Sequence, residues 1–355
     1  MIRFKFWRYM MYWSLMMSLF VSYKLLSSFH HRWQQQQRLI KGESVSNAPQ
    51  QLRPNLVYLP HIAYEPLLIE PSLIHVAITA LSVGENVESL IRLVGNVIRS
   101  VRLFTTSASV QIHIVTNDRV ESELRRKYTQ SSSIRYYRTN LEGRWLTLFA
   151  IGSAQRLFLH TLLPVDVRKV IYLDLDTVSL RDLGELWKLF QLFDSKQCVA
   201  ATRESEILDG YYLRHSDERL PYVYPVGINA GVLLLDLEKL RRVEPEWSNE
   251  VNRILFHYDG MLHTGDQDVL NILFHRKAEY LFLLPCEWNI REDSWCRMER
   301  ANDLGIVHGS RKRFEIENED HWLHSFTKLV ENHPFEKSEI WGFQYESKRL
   351  RLPHH

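Results

Sequence analysis

Lys169-Val170-Ile171-Tyr172-Leu173-Asp174-Leu175-Asp176 runs four apolar residues directly into two carboxylates separated by one leucine. A short apolar run of this kind reads as a strand buried on both faces. If the strand ends at Leu173, both acids emerge at its carboxyl edge, and two-residue alternation puts Asp174 and Asp176 on the same side. Two hard oxygen donors placed together suit Mn²⁺ or Mg²⁺. The triplet is common by chance, and a solvated strand end followed by a helix cap would look the same. Its surroundings decide between the two.

Those surroundings alternate. Residues 73–80, 110–115, 134–137, 198–201 and 231–235 repeat the buried-strand pattern. Between them, 86–103, 121–128, 153–163 and 183–193 carry helical spacing, and a further helix begins at 268. In 86–103 the apolar positions Val87, Leu90, Ile91, Val94, Val97, Ile98 and Val101 form one helical face. Alternating elements imply an α/β domain over 72–335 with a mainly parallel, Rossmann-like sheet covered on both faces. In such sheets the ligand crevice lies beyond the carboxyl ends of the strands, where Asp174 and Asp176 sit.

Other segments point to the same edge. Leu304-Gly305-Ile306-Val307 reads as a short strand leading into His308-Gly309-Ser310-Arg311, so His308 is available as an imidazole ligand. Gly309 allows close backbone approach, and Arg311 or Lys312 can meet phosphate oxygens. Gly227-Ile228-Asn229-Ala230-Gly231 precedes the strand Val232–Leu235; its small residues allow a ligand near the backbone and Asn229 can donate and accept toward sugar hydroxyls, while a tight turn needing glycine would look the same. Asp266 and Gln267 form a polar pair at a helix start, where Asp268 can serve as a cap. Cys286 and Cys296 can pair in an oxidising compartment, whereas Cys198, inside an apolar strand, reads as an inert core thiol.

The 355 residues are 45% hydrophobic and 24% charged, which excludes a collagen-like, coiled-coil or mostly disordered chain. Net charge is +2, but residues 1–41 hold seven Lys or Arg and no acid. The remainder has 37 basic against 42 acidic residues, a net of −5. This balance gives no sign of nucleic-acid binding. Residues 9–29 are an aromatic and Met-rich run, uncharged apart from Lys24, and are long enough to cross a ~30 Å hydrocarbon layer. Arg3, Lys5 and Arg8 favour a cytoplasmic amino terminus. A cleaved signal, which no A-x-A-like site supports, and a soluble amphipathic helix are the other readings. The expected order is a cytoplasmic tail at 1–8, a signal-anchor helix at 9–29, a proline-broken stem at 30–71, the domain at 72–335 and a tail at 336–355.

In sequence order, the first strand at 73–80, Ala154-Gln155-Arg156-Leu157, Asp174-Leu175-Asp176, Asn229-Ala230-Gly231, Gly265-Asp266-Gln267-Asp268 and His308-Gly309 together resemble the family 8 retaining glycosyltransferases. Within that family, Glu185-Leu186-Trp187-Lys188-Leu189 and Pro285-Cys286-Glu287-Trp288-Asn289 are most similar to glucoside xylosyltransferases. The resemblance implies a GT-A fold and a type II membrane enzyme of the endoplasmic reticulum or Golgi. Its implied reaction transfers xylose from UDP-xylose in α1,3 linkage to O-linked glucose on EGF repeats of Notch-like proteins. A dystroglycan-glycan xylosyltransferase shares several of these blocks. A reading of another class is a catalytically inactive, membrane-anchored glycan-binding protein.

By the same resemblance, Asp174, Asp176 and His308 would hold Mn²⁺ or Mg²⁺. Ala80 and Leu81 would lie near the uridine, and Arg156 would help hold the donor. Asn229, Ala230 and Gly231, with Asp266 and Gln267 as the catalytic pair, would surround the donor sugar. Gly309 and Arg311 would approach the diphosphate. The segment after Asn289 and the short carboxyl tail depart from the pattern.

Overall fold

A computed structural model describes residues 71–82, 87–128, 131–139, 141, 143, 145, 152–206, 211–294, 296 and 304–310. The expected anchor, the stem up to residue 70, the carboxyl tail and Arg311 lie outside the described residues. Among the described residues no helix is long and apolar enough to cross a membrane.

Strand β1 (Leu73–Ala80) leads into helix α1 (Val87–Phe104), then β2 (Ser109–Thr116), α2 (Asp118–Lys127) and β3 (Ile134–Arg138). The three strands are parallel in the order β3-β2-β1. The chain then crosses to the other side of β1. There β4 (Lys169–Leu173) pairs parallel with β1 through Val76 and Ala77. This reversal between β2 and β4 is a topological switch point, so it opens a crevice at the carboxyl ends of β1 and β4.

Beyond β4 the sheet continues with β7 (Ile228–Asp236), β6 (Val199–Arg203) and β8 (Leu281–Leu284). Strand β7 runs antiparallel to both neighbours, while β6 and β8 are parallel. The sheet is therefore mixed, with four parallel and two antiparallel pairings. All nine residues of β7 are buried, as its two-sided covering requires. On one face Val94, Ile98 and Val101 of α1 pack against Ile78, Ile114 and Ile171; on the other, Ala77, Tyr172 and Leu233 meet the helices α5 (Glu246–His257) and α6 (Asp266–Arg276).

Local chemistry supports these helices. Asn117 caps α2 by accepting from the Val120 N–H, Asp118 and Glu121 occupy its first turn, and Arg125, Arg126 and Lys127 its last. That charge order complements the helix dipole.

Three expectations change. The helix expected over 153–163 is a 3-10 turn, Ser153–Phe158, followed by the short helix α3 (Leu159–Leu162). The helix expected over 183–193 is α4 (Leu183–Lys188) plus a 3-10 turn, Leu189–Leu192. Asn229, Ala230 and Gly231 lie inside β7 and not in a turn before it. The turn falls earlier, where Gly227 takes φ +81°.

A second, two-stranded sheet completes the frame. Strand β5 (Thr177–Ser179) pairs antiparallel with β9 (Ile306–His308), which sets His308 opposite Thr177. Cys286 and Cys296 form a disulfide, with Cα atoms 5.6 Å apart. Cys198 is free and buried, and burial pushes its thiol up to about 12.

Candidate metal centre and surrounding polar network

The backbone turns out of β4 immediately after Leu173. Asp174 N–H still donates to the Gly231 carbonyl on β7 at 2.8 Å, and the Gly309 N–H donates to the Asp176 carbonyl at 2.7 Å. These two bonds tie the acidic turn to β7 on one side and to the end of β9 on the other. As a result, Asp174, Asp176 and His308 each offer a ligand atom, and these atoms lie within 4.8 Å of one another. His308 Nε2 is 3.2 Å from Asp176 Oδ1 and 3.9 Å from Asp174 Oδ2. Two carboxylates and one imidazole form a donor set that fits Mn²⁺ or Mg²⁺.

The two acids differ electrostatically. Burial pushes the Asp174 carboxyl up, and the nearby Asp176 adds to this, while Arg156 opposes it. Asp176 is also penalised by burial, yet the adjacent His308, when its ring is protonated and Nε2–H donates to this carboxylate, holds it below the ordinary value.

Arg156 is the main counter-charge. Its Nη2 lies 2.9 Å from Asp174 Oδ1, and its Nε 2.9 Å from Asp266 Oδ2. Its Nη1 donates to the Ala230 carbonyl at 2.5 Å, and its guanidinium stacks 4.7 Å from the Tyr172 ring. Burial works against the charge, but the two carboxylates outweigh it and raise the guanidinium above its ordinary value. Tyr172 donates its hydroxyl to Asp174 Oδ1 at 2.9 Å. Arg156 thus joins Asp174 to Asp266, the acid that starts α6.

Around this core lies a string of buried amides and acids. Asn289 meets His308 Nδ1 at 2.9 Å through Oδ1, and donates through Nδ2 to Asn229 Oδ1 at 2.8 Å. Asn229 Nδ2 donates to Glu204 Oε2 at 2.8 Å and to Gln267 Oε1 at 3.1 Å. Gln267 Nε2 also donates to Glu204 Oε2, at 3.1 Å. Asn229, Ala230, Gly231, Asp266, Gln267, Asp174, Asp176 and His308 are therefore brought to one place. Glu204, Asn289 and Tyr172 belong to it as well and carry no role in the sequence reading. Asn289 stood within the Trp288-Asn289 block, which was the available signal; Glu204 offered none.

Asp268 is not the helix N-cap. Gly265 occupies that position, and Asp268 reaches back to accept from the Thr264 N–H at 2.7 Å. Ala80 and Leu81 sit at the end of β1, where the Thr116 hydroxyl donates to the Ala80 carbonyl at 2.7 Å. A depression of about 400 Å³ opens beside them over the ends of β2 and β3, lined by Thr116, Asn117, Asp118, Arg119, Arg138 and Thr139. It does not include the acidic turn or His308.

The family model described as glycosyl transferase family 8 matches residues 73–294. Mouse glucoside xylosyltransferase 2 is 28% identical over 298 residues, covering 77% of this chain and 65% of the relative. Mouse glucoside xylosyltransferase 1 is 30% identical over 261 residues, covering 67% of this chain and 62% of the relative. The chain thus spans somewhat under two thirds of the length of these relatives. The crystal structure of the galactosyltransferase LgtC with donor and acceptor sugar analogs superposes with a TM-score of 0.57 at 18% identity, over 76% of this chain and all of that one. That likeness concerns the fold.

Proposed function

Because the chain belongs to glycosyl transferase family 8, we propose that it is a metal-dependent retaining xylosyltransferase. In this reading it moves xylose from UDP-xylose, in α1,3 linkage, to glucose O-linked on EGF repeats of Notch-like proteins. The observation that carries the reading is the convergence of Asp174, Asp176 and His308, with ligand atoms within 4.8 Å of one another, at the switch point of the sheet. The choice of sugar and acceptor rests on likeness to the two glucoside xylosyltransferases.

Asp174, Asp176 and His308 would hold Mn²⁺ or Mg²⁺. Such an ion, when bound, neutralises charge on a departing diphosphate. Ala80 and Leu81 flank the uridine, and Gly309 and Arg311 approach the phosphates. Asn229, Ala230, Gly231, Asp266 and Gln267 surround the sugar. Arg156 keeps Asp266 beside Asp174, and in this reading Asp266 orients the sugar. The acceptor hydroxyl approaches C1 on the face the diphosphate leaves. The C1–O bond to phosphate breaks, a C1–O bond to the acceptor forms, and a β-phosphate oxygen takes the hydroxyl proton. Positioning and electrostatics supply the catalysis.

Residues 9–29 anchor the protein in the endoplasmic reticulum or Golgi membrane, with the domain in the lumen. Proton NMR of the product from an O-glucosylated EGF repeat tests the stereochemistry. An α-xyloside is expected, and a β-xyloside overturns retention.

A further inference from the structure

Resting on the reading of Asp174, Asp176 and His308 as a cation site, we infer that Glu204 fixes the tautomer of His308 through Asn229 and Asn289, so that Nε2 presents its lone pair to that site. An isolated neutral imidazole can carry its proton on either nitrogen, and only a nitrogen without a proton can ligate a metal. Here the choice is imposed by a directional string of hydrogen bonds.

The direction starts at Glu204, whose carboxylate oxygen accepts. The amide group of Asn229 nearest to it, at 2.8 Å, is therefore the NH₂. An independent bond agrees: Asn229 Oδ1 lies 2.9 Å from the backbone nitrogen of Gly231, which can only donate. With Asn229 so oriented, the group of Asn289 that meets Asn229 Oδ1 at 2.8 Å must be its NH₂. The oxygen of Asn289 then faces His308 Nδ1 at 2.9 Å, and that nitrogen must carry the hydrogen. In a neutral ring Nε2 is left bare, and it is the nitrogen that faces Asp176 and Asp174.

Burial makes the string binding. Glu204, Asn229, Asn289, Arg291 and His308 are each 6% exposed or less, so solvent does not replace a lost partner. Arg291 secures the far end, with Nη2 3.7 Å from Glu204 Oε2 and Nη1 donating to the Asn289 carbonyl at 3.1 Å. Asn229 also contacts Gln267, so the same amide links the orientation of His308 to a residue placed beside the donor sugar. Glu204, Asn229 and Asn289 act on the cation only through His308 and are, in this respect, positioning residues.

The test uses ¹⁵N-histidine-labelled, metal-free protein at a pH where the ring is neutral. His308→Ala assigns the signals by difference, and Mn²⁺ affinity is read by electron paramagnetic resonance. The Nδ1–H tautomer is expected in the parent protein. Asn289→Leu should lose that preference and bind Mn²⁺ about 10–100-fold more weakly. Asn289→Asp is nearly isosteric; it sets an oxygen against Asn229 Oδ1 in place of the donated N–H, but it keeps an acceptor facing Nδ1 and should keep the Nδ1–H form even if the leucine variant does not fold. An Nε2–H tautomer in the parent protein overturns the inference, as does unchanged tautomer and affinity in a folded Asn289→Leu. If His308→Ala binds Mn²⁺ as well as the parent does, the cation-site reading itself fails. If His308→Ala binds weakly while the parent carries Nε2–H, only the tautomer inference fails.

Discussion

The imidazole of His308 rests directly on the Cα of Gly231. A Cβ added at position 231 would lie 2.1 Å from His308 Cε1 and 2.6 Å from Nδ1. Gly231 therefore serves a close approach, and what approaches is the imidazole proposed to hold the cation. The same glycine offers its carbonyl to the Asp174 N–H, so one backbone unit of β7 locates two of the three proposed ligand residues.

Gly231→Ala should displace His308 while leaving the strand intact, because β7 is continuous on either side. Overpacking of this kind costs about 1–3 kcal/mol. Mn²⁺ affinity is expected to fall at least about tenfold, the lower end for loss of support around a metal ligand. A titration showing parental affinity in the folded variant contradicts this placement of His308.

Asp176→Asn and Asp174→Asn should each reduce turnover by about a hundredfold or more, the scale of losing several kcal/mol of charge stabilisation. EDTA should silence the parent enzyme, and added Mn²⁺ should restore it. Circular dichroism checks that both variants fold. Full activity in either variant, together with indifference to EDTA, sinks the metal mechanism.

Arg156→Met leaves the buried Asp266 and the half-buried Asp174 without their shared cation. Removing one partner of a buried pair typically costs about 3–5 kcal/mol, which denaturant unfolding can read. Adding Asp266→Asn to that variant should recover part of the loss. Arg156→Lys keeps the charge but lacks the planar fork that spans Asp174, Asp266 and the Ala230 carbonyl. It should fall between the parent and Arg156→Met. Equal stability across the series argues against the bridge.

His113 supplies a pH dependence away from the site. It is buried, bonded to His75 and the Tyr137 hydroxyl at 2.9 Å each, and burial foremost lowers it to about 3. A folded value below the unfolded one means that the unfolded chain binds the proton more readily. Its contribution is complete above about pH 6.5, and it is lost as pH falls toward 3. Within that window one proton gives a slope of up to about 1.4 kcal/mol per pH unit. His113→Asn should flatten the slope in denaturant melts between pH 6 and 4. An unchanged slope contradicts a neutral buried ring.

Much of the frame was legible in the residues because burial leaves a strong pattern. Lys169–Leu173 ends as a strand where the carboxylates begin, since charged side chains resist a two-sided sheet interior. Val94, Val97, Ile98 and Val101 likewise mark the buried face of α1. The broken helix at 153–162 was harder to see. Ser153, Gln155 and Arg156 are buried there along with the apolar residues, so helical spacing carried no contrast between faces. The antiparallel direction of β7 left no trace either, since a fully buried strand reads alike in both directions. Within the site, Asp174, Asp176 and His308 were visible as strand-end polar groups. Glu204 and Asn289 were not: their partners are 25 and 19 residues away, and their significance lies in which amide atom faces which.

A donor competition measures metal-dependent xylosyl transfer itself. The purified protein is given Mn²⁺, an O-glucosylated EGF repeat, and radiolabelled UDP-xylose, UDP-glucose, UDP-galactose or UDP-glucuronic acid in parallel. Transfer is predicted to be fastest from UDP-xylose and to vanish with EDTA. Faster transfer from UDP-glucose, or no turnover with any donor, would contradict the account.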